Sequence, residues 1–151
     1  KNYYDGSTPQ SVFNVGIDWA APSNWFFNVN GTWMGDSYVN LSPRYHEALP
    51  DLWVKYPDPT QLEAKIKELS TQDKLKNAFV LNLSIGKVVY LKKVSLNFNL
   101  NVNNILNNKD IVTYAYQQGR MDLNDYNRSK YPNKLSYAQG VKVFFNVGVR
   151  F

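Results

Sequence analysis

Few residues of this chain have the types and spacing that catalysis or metal binding needs. His46 is the only histidine, and it stands beside Glu47 with no second metal ligand at a suitable spacing. The chain has no cysteine, which excludes disulfides, thiolate metal sites and cysteine nucleophiles. Asp51 and Asp58 lie among prolines, with no patterned partner that would tune a pKa for acid–base chemistry. We therefore expect no enzyme, no metal site and no cofactor, and we interpret His46 as a solvated loop residue.

The remaining charges do not indicate nucleic-acid binding. Lys and Arg number 17 against 12 Asp and Glu, a formal net charge of +5. Most of the basic residues lie in loop-like stretches, whereas nucleic acids require a clustered basic face. Arg120 and Asp122 are spaced to pair across a turn, which is a structural role.

Strict alternation of apolar and polar residues is the main pattern of the chain, and it is the signature of a strand with two different faces. The polar positions are mostly Asn, Ser and Gly, and Lys87 is the one misfit among the apolar ones. The alternation predicts five strands, at about 10–19, 25–39, 79–91, 94–104 and 139–151.

A soluble β-sandwich also alternates, so the pattern alone leaves two fold classes open. Two features favour a membrane barrel. The polar face is mostly Asn, Ser and Gly, whereas the outer faces of soluble sheets are usually rich in Lys, Glu and Thr. The strands, at about 9–13 residues, also exceed the usual soluble length of about 5 or 6. No apolar run approaches the roughly 18 residues of a membrane-spanning helix, but barrel strands never build such a run.

The connections between the predicted strands alternate between short and long. The long ones lie at about 42–77 and 107–138, and the other two are only a few residues. Outer-membrane barrels are built in this way, with tight periplasmic turns and large extracellular loops. Trp19 and Trp25 flank the first short turn, either as an interfacial aromatic girdle or as a simple hairpin pair. In a barrel, four charged residues would face the lumen and contact a plug: Asp18, Asp36, Lys142 and Arg150.

The first long loop contains a predicted helix. Thr60 and Glu63 form a capping-box pattern, and Glu63 with Lys67 makes an i,i+4 pair. Two roles remain open: the helix packs on its own loop and the barrel mouth, or the loop docks a surface partner. The residues that would form the docking surface are Trp53, Tyr56, Leu62, Ile66 and Leu69.

Two motifs resemble those of a known family. The fourth predicted strand ends in a pattern similar to the penultimate-strand motif of TonB-dependent outer-membrane receptors, carried by Val102, Asn104, Ile105, Leu106, Asn107 and Lys109. The chain ends in a pattern that resembles the terminal signal read by the barrel-assembly machinery, carried by Phe145, Val147, Val149 and Phe151. The loop between them, which includes 120–122, is similar to Bacteroidetes receptors with a carboxypeptidase-regulatory-like N-terminal domain.

The resemblance implies an all-β fold: an antiparallel transmembrane β-barrel, of which residues 1–151 would be the last five strands of about 22. Five strands cannot close, and unpaired backbone groups in lipid cost several kcal/mol each. The chain starts at Lys1 without a signal peptide, so either the signal has been removed or the chain is a fragment of a longer protein, and we expect the fragment.

The implied function is energised uptake of a bulky substrate across the bacterial outer membrane. The implied partners are membrane lipids, the upstream barrel and its plug domain, TonB, and the barrel-assembly machinery. A different reading remains open, in which the barrel is a structural platform for surface lipoproteins or other outer-membrane machinery. An unplugged porin fits less well, because porins are mostly smaller.

Overall fold

A computed structural model describes residues 3–45, 47 and 50–151 of the chain, so His46 lies outside the described residues. Strands make up 46% of the chain and helices 15%, and the strands are antiparallel, which confirms the all-β class. The strands are β1 Ser11–Ala21, β2 Trp25–Gly35, β3 Ala78–Tyr90, β4 Ser95–Asn103, β5 Val112–Tyr116, β6 Lys134–Tyr137 and β7 Lys142–Arg150. The helices are α1 Pro50–Lys55 and α2 Pro59–Leu69, with 3-10 turns at Pro43–Tyr45 and Arg128–Lys130.

Five strands form one sheet in the order β1-β2-β3-β4-β7, with every neighbouring pair antiparallel. The register places apolar residues opposite apolar residues across the whole width. One complete cross-strand row consists of Ile17, Val29, Leu83, Val102 and Val143. Because side chains alternate between faces along a strand, this register gives the sheet one apolar face and one polar face.

The second strand is shorter than the sequence predicts. It was expected to reach residue 39 but ends at Gly35. The next residue, Asp36, has φ 55°, in the left-handed region, which turns the chain out of the ladder. The first short turn also uses left-handed residues, Ser23 and Asn24, with φ 61° and 62°.

All the long connections leave the sheet at one end, here called the loop end, and the two short connections and Phe151 lie at the other, the turn end. We use "loop cap" for the described parts of 36–77 and 104–141. The second of these segments was expected to be irregular, but it contains the β5–β6 hairpin, a separate two-stranded sheet. None of the helices in the described part of the chain is long and apolar enough to cross a membrane.

The predicted helix is present as α2, but its local contacts differ from expectation. Asp58 is the N-cap, and its side chain accepts a hydrogen bond from the Thr60 backbone N–H at 3.0 Å. The capping box on Thr60 is therefore wrong, because Pro59 at the first helical position moves the cap back by two residues. The ion pair of the helix joins Lys65 to Glu68 instead of Glu63 to Lys67.

The buried core lies in the loop cap and not on the sheet. A cluster of Tyr45, Leu52, Leu62, Leu69 and Tyr126 combines residues from both long connections. Val39, Ile111 and Ala115 are also buried there. The two long connections thus fold into one unit, although β3 and β4 separate them in the chain.

Candidate functional site

The apolar face of the five-stranded sheet is not covered by any described part of the chain. No side chain on this face is buried. Among the most exposed apolar residues, the exposed fraction runs from 36% at Trp33 to 68% at Ile17. These residues are Phe13, Val15, Ile17, Trp19, Trp25, Val29, Trp33, Phe79, Val143, Phe145, Val147 and Val149.

Exposure on this scale is energetically large. Burying one such side chain fully is worth about 1.5–3 kcal/mol. The net stability of a typical domain is only about 5–15 kcal/mol. Leaving the whole face in water would therefore forfeit an amount comparable with the total stability of a domain. The face requires an apolar environment that the described residues do not supply.

The opposite face is held together by side-chain amides. Asn14 Nδ2 donates to Asn30 Oδ1 at 3.1 Å, and Asn28 Nδ2 donates to Asp18 Oδ1 at 2.7 Å. On the next strand pair, Ser84 Oγ donates to Asn101 Oδ1 at 2.7 Å. Many polar groups of this face therefore bind one another, and three of its residues are charged: Asp18, Lys142 and Arg150.

Lys87, the misfit of the alternation, lies at the edge of the apolar face. Its Cα is opposite Trp25, at the turn end of the sheet. Its ammonium donates to the carbonyl oxygen of Ser23 and lies 4.8 Å from the centre of the Trp25 ring. The long side chain thus places its charge on the turn, away from the middle of the face.

Among the residues that the structure describes, no further strand pairs with the two edges of the sheet, β1 and β7. Each presents a row of backbone donors and acceptors along an exposed strand of 11 or 9 residues. Such edges pair readily with further strands. The sheet of the described residues is consequently open.

The four predicted lumen-facing charges do not come together. Asp18 is at the turn end, and Asp36 lies beyond β2 at the loop end, where it pairs with Lys74. The hydrogen bond from Lys74, together with one from Ser11, lowers the pKa of Asp36, and the same contact raises the pKa of Lys74. Lys142 and Arg150 occupy opposite ends of β7 on the polar face.

The motif after β4 makes a tight connection between three strands. Asn104 is buried, has φ 55°, and its Oδ1 accepts from the Asn108 backbone N–H at 3.0 Å. Its Nδ2 donates to the carbonyl oxygens of Asn108 and Gln139, and its backbone N–H donates to Asn82 Oδ1. Asn107 Oδ1 accepts from the Val141 backbone N–H at 3.1 Å. Of the other motif residues, Val102 lies on the apolar face, and Ile105, Leu106 and Lys109 have exposed side chains, although the Ile105 backbone N–H donates to the Leu81 carbonyl oxygen at 2.8 Å.

The terminal strand presents its odd-numbered residues on the apolar face. Phe145, Val147 and Val149 pair with Leu100, Phe98 and Leu96 of β4. Phe151 follows the last strand residue and is 95% exposed. Its ring is therefore available to another molecule.

Arg128 is the main link between the two halves of the loop cap, and no sequence pattern pointed to it. Its guanidinium donates to the carbonyl oxygens of Glu68 and Thr71 and to Asp73 Oδ2, the last at 2.6 Å. Asn133 Nδ2 donates to the same Asp73 oxygen at 2.7 Å. Its partners are distant in sequence, so only the folded chain reveals this role.

The predicted partner-docking surface is partly wrong. Leu62 and Leu69 are buried in the loop cap, and Tyr56 packs against that core. Leu62 and Leu69 face inward because they form the apolar side of α2, which packs on the core around Tyr126. Trp53 and Ile66 remain exposed. The helix therefore packs on its own loops, and only part of the proposed surface is free for a partner.

The predicted pair of Arg120 and Asp122 does not form. Asp122 instead accepts from Lys130 Nζ at 2.9 Å, a contact that lowers the pKa of its carboxyl. The Arg120 carbonyl oxygen accepts from the Tyr45 hydroxyl at 2.7 Å. The first contact is local, because the turn at Arg128–Lys130 brings the lysine over the carboxylate, and the second joins the two long connections.

A cavity of about 660 Å³ lies on the polar face at the loop end. A smaller recess of about 380 Å³ lies towards the turn end, against Asp18, Asn28 and Asn99. The described residues contain no cluster of His, Cys, Asp or Glu that could hold a metal ion.

Comparisons with protein-family models, with curated proteins and with solved structures give no match.

Proposed function

We propose that the chain forms five neighbouring strands of an outer-membrane β-barrel, and that this barrel is a TonB-dependent receptor for a bulky substrate. The observation that supports the proposal is the continuous apolar face, which is in register across five strands and uncovered. In this arrangement that face contacts lipid, and the amide-rich face lines the lumen.

The two open edges support a larger barrel. In lipid, unpaired backbone groups cost several kcal/mol each, so additional strands must pair with β1 and β7. The family resemblance implies about 22 strands in total. The loop end would then be extracellular and the turn end periplasmic, since outer-membrane barrels have long external loops and short periplasmic turns.

The lipid contact can be tested at two adjacent positions. The chain has no cysteine, so Leu83→Cys and Ser84→Cys each introduce a single thiol into this part of the protein, on opposite faces of the central strand β3. The whole receptor is reconstituted into lipid vesicles that contain nitroxide-bearing lipids, and the new thiol is labelled with a thiol-reactive fluorophore. We expect strong quenching at residue 83 and weak quenching at residue 84. Equal quenching at both positions would reject the barrel.

The transport function needs a separate test. Uptake of candidate substrates is compared in cells with and without the receptor, and again in cells without TonB. A TonB-dependent receptor loses receptor-specific uptake in both deletions. Receptor-specific uptake that continues unchanged without TonB contradicts this function and leaves the barrel standing.

The exposed terminal ring suits recognition by the barrel-assembly machinery. Phe151→Ser should then lower the amount of heat-modifiable, folded protein in the outer membrane. Leu123→Ser, which removes another exposed apolar residue from the loop cap, is the matched control. Equal amounts of folded protein in both variants would argue against the assembly signal.

A structural platform for surface lipoproteins is the second candidate. Trp53 and the adjacent Val54 favour it, because both are well exposed on the loop cap. Exposed aromatic residues often anchor protein interfaces. Trp53→Ala would then release a co-purifying lipoprotein without changing TonB-dependent uptake.

A further inference from the structure

The cavity of about 660 Å³ at the loop end has an unbalanced charge. Its lining includes two charged side chains, Lys76 and Lys142, and no carboxylate. Within the part of the chain that the structure describes, neither lysine forms an ion pair. A cleft lined by charges of one sign concentrates counter-ions from solution. The cavity is thus electrostatically suited to an anion.

The two lysines approach the cavity from different segments of the chain. Lys142 is the first residue of β7 and lies opposite Asn103 of β4. Lys76 precedes β3 by two residues, on the loop-cap side. Each carries its ammonium on a flexible four-carbon stem with three donors, so both charges can move within the cavity.

Neutral groups of the cavity add hydrogen-bonding capacity and apolar surface. Asn82 lines it, and its Oδ1 already accepts from the Asn104 backbone N–H, which leaves its amide nitrogen for a ligand. Val80, Ile111 and Tyr137 supply apolar walls. A volume of about 660 Å³ is within the range of small-molecule sites, which are mostly apolar with a few placed polar groups.

We propose that this cavity binds a soluble organic anion, with an acidic group held by Lys76 and Lys142 and an apolar body against the loop-cap wall. The proposal rests on the proposed function, because it takes the polar face as the wall of an aqueous lumen. It narrows the substrate class to molecules that present a carboxylate, sulfonate or phosphate. A lipid headgroup is a poor candidate, since lipid would meet the opposite face.

The test uses the whole receptor in a nonionic detergent. The two probes have nearly the same shape: 2-naphthoate and its neutral amide, 2-naphthamide. Calorimetric titration should show naphthoate binding at least about tenfold more tightly than naphthamide, since hydrogen bonds to charged groups are the stronger ones. The preference should weaken as salt is raised. The double variant K76Q/K142Q should lose it, and K76R/K142R should keep it.

The matched control removes the same charge elsewhere. K92Q/K93Q neutralises two lysines in the turn between β3 and β4, at the other end of the sheet, and should leave the preference intact. The proposal is overturned if the wild type shows no preference, if K76Q/K142Q retains it, or if K92Q/K93Q loses it equally. The nitroxide-lipid experiment at residues 83 and 84 decides the barrel separately, so a failed anion site and a failed barrel give different results.

Discussion

Lys87 places its ammonium 4.8 Å from the centre of the Trp25 ring, on the next strand of the sheet. The contact brings a charge to the border of an otherwise apolar face, where it also meets the Ser23 carbonyl oxygen. In the proposed barrel this border is the membrane–water interface, where Trp and Lys are favoured.

In the proposed barrel, the depth of a lysine in the membrane should decide its effect on the free energy of unfolding. Lys87→Met is expected to change the free energy of unfolding by less than about 1 kcal/mol, because a cation near the interface costs little and its cation–π contact is worth about 0.5–1 kcal/mol. Leu83→Lys, in the middle of the face, should cost about 2–4 kcal/mol. Urea unfolding in lipid vesicles measures both. Similar costs for the two variants would contradict a lipid-facing sheet.

The Asp36–Lys74 pair predicts that the loop end loosens at both extremes of pH. The lowered pKa of Asp36 means that its contribution is present above the ordinary carboxyl pKa and is lost as pH falls through the lowered value. The raised pKa of Lys74 means that its contribution is lost only as pH rises through that raised value. Hydrogen exchange of the segment around residues 36–39 should be slowest between these limits. Asp36→Asn should remove the acidic change, and an unaltered profile in that variant would refute the assignment.

Asn104 should be replaceable neither by Ala nor, fully, by Gly. Ala loses the side-chain hydrogen bonds, at about 1–3 kcal/mol, and must also adopt a left-handed backbone, at about 1–2 kcal/mol. Gly tolerates the backbone and loses only the hydrogen bonds. We therefore expect the free energy of unfolding to fall more for Asn104→Ala than for Asn104→Gly. If the free energy of unfolding falls equally in both variants, tolerance of a positive φ is not part of the stabilisation that Asn104 provides.

Arg128 should hold the loop cap together more strongly than the exposed ion pair of Lys55 and Asp125. Arg128→Lys keeps the charge but not the planar fork that reaches Glu68, Thr71 and Asp73. Limited proteolysis of 107–138 should be faster in this variant than in Lys55→Ala, since exposed pairs are worth only about 0–1 kcal/mol. Equal cleavage rates would show that the fork is dispensable.

The sheet could be predicted from the sequence because its information is local. Alternation with a period of two identifies the strands and their faces. The short connection after the third strand predicts a hairpin, and the Leu91 backbone N–H donates to the Val94 carbonyl oxygen across it. The exception is the end of β2. The sequence predicts a strand to residue 39, but the left-handed backbone of Asp36 ends the pairing of β2 with its neighbours at Gly35.

The loop cap could not be predicted in the same way. Its core joins Tyr45 and Leu62 to Tyr126, and the polar link of Arg128 to Asp73 spans 55 residues. No periodic pattern records which of two distant loops will meet. Pairing of β5 with β6 was missed for a related reason: strands of five and four residues, flanked by polar turns, are too short to give a clear alternation.

The phase of the two outermost strands sets a rule for whatever pairs with them. A strand that pairs with Ser11–Ala21 must place its own apolar residues beside Phe13, Val15 and Ile17. A register shift of one residue would move all its side chains to the opposite face of the sheet. The same holds beside Val143 and Phe145 on the far edge. Kept alone in water, the polypeptide satisfies this rule best with copies of itself, so the isolated 151 residues should collect into edge-paired aggregates rather than stay monomeric.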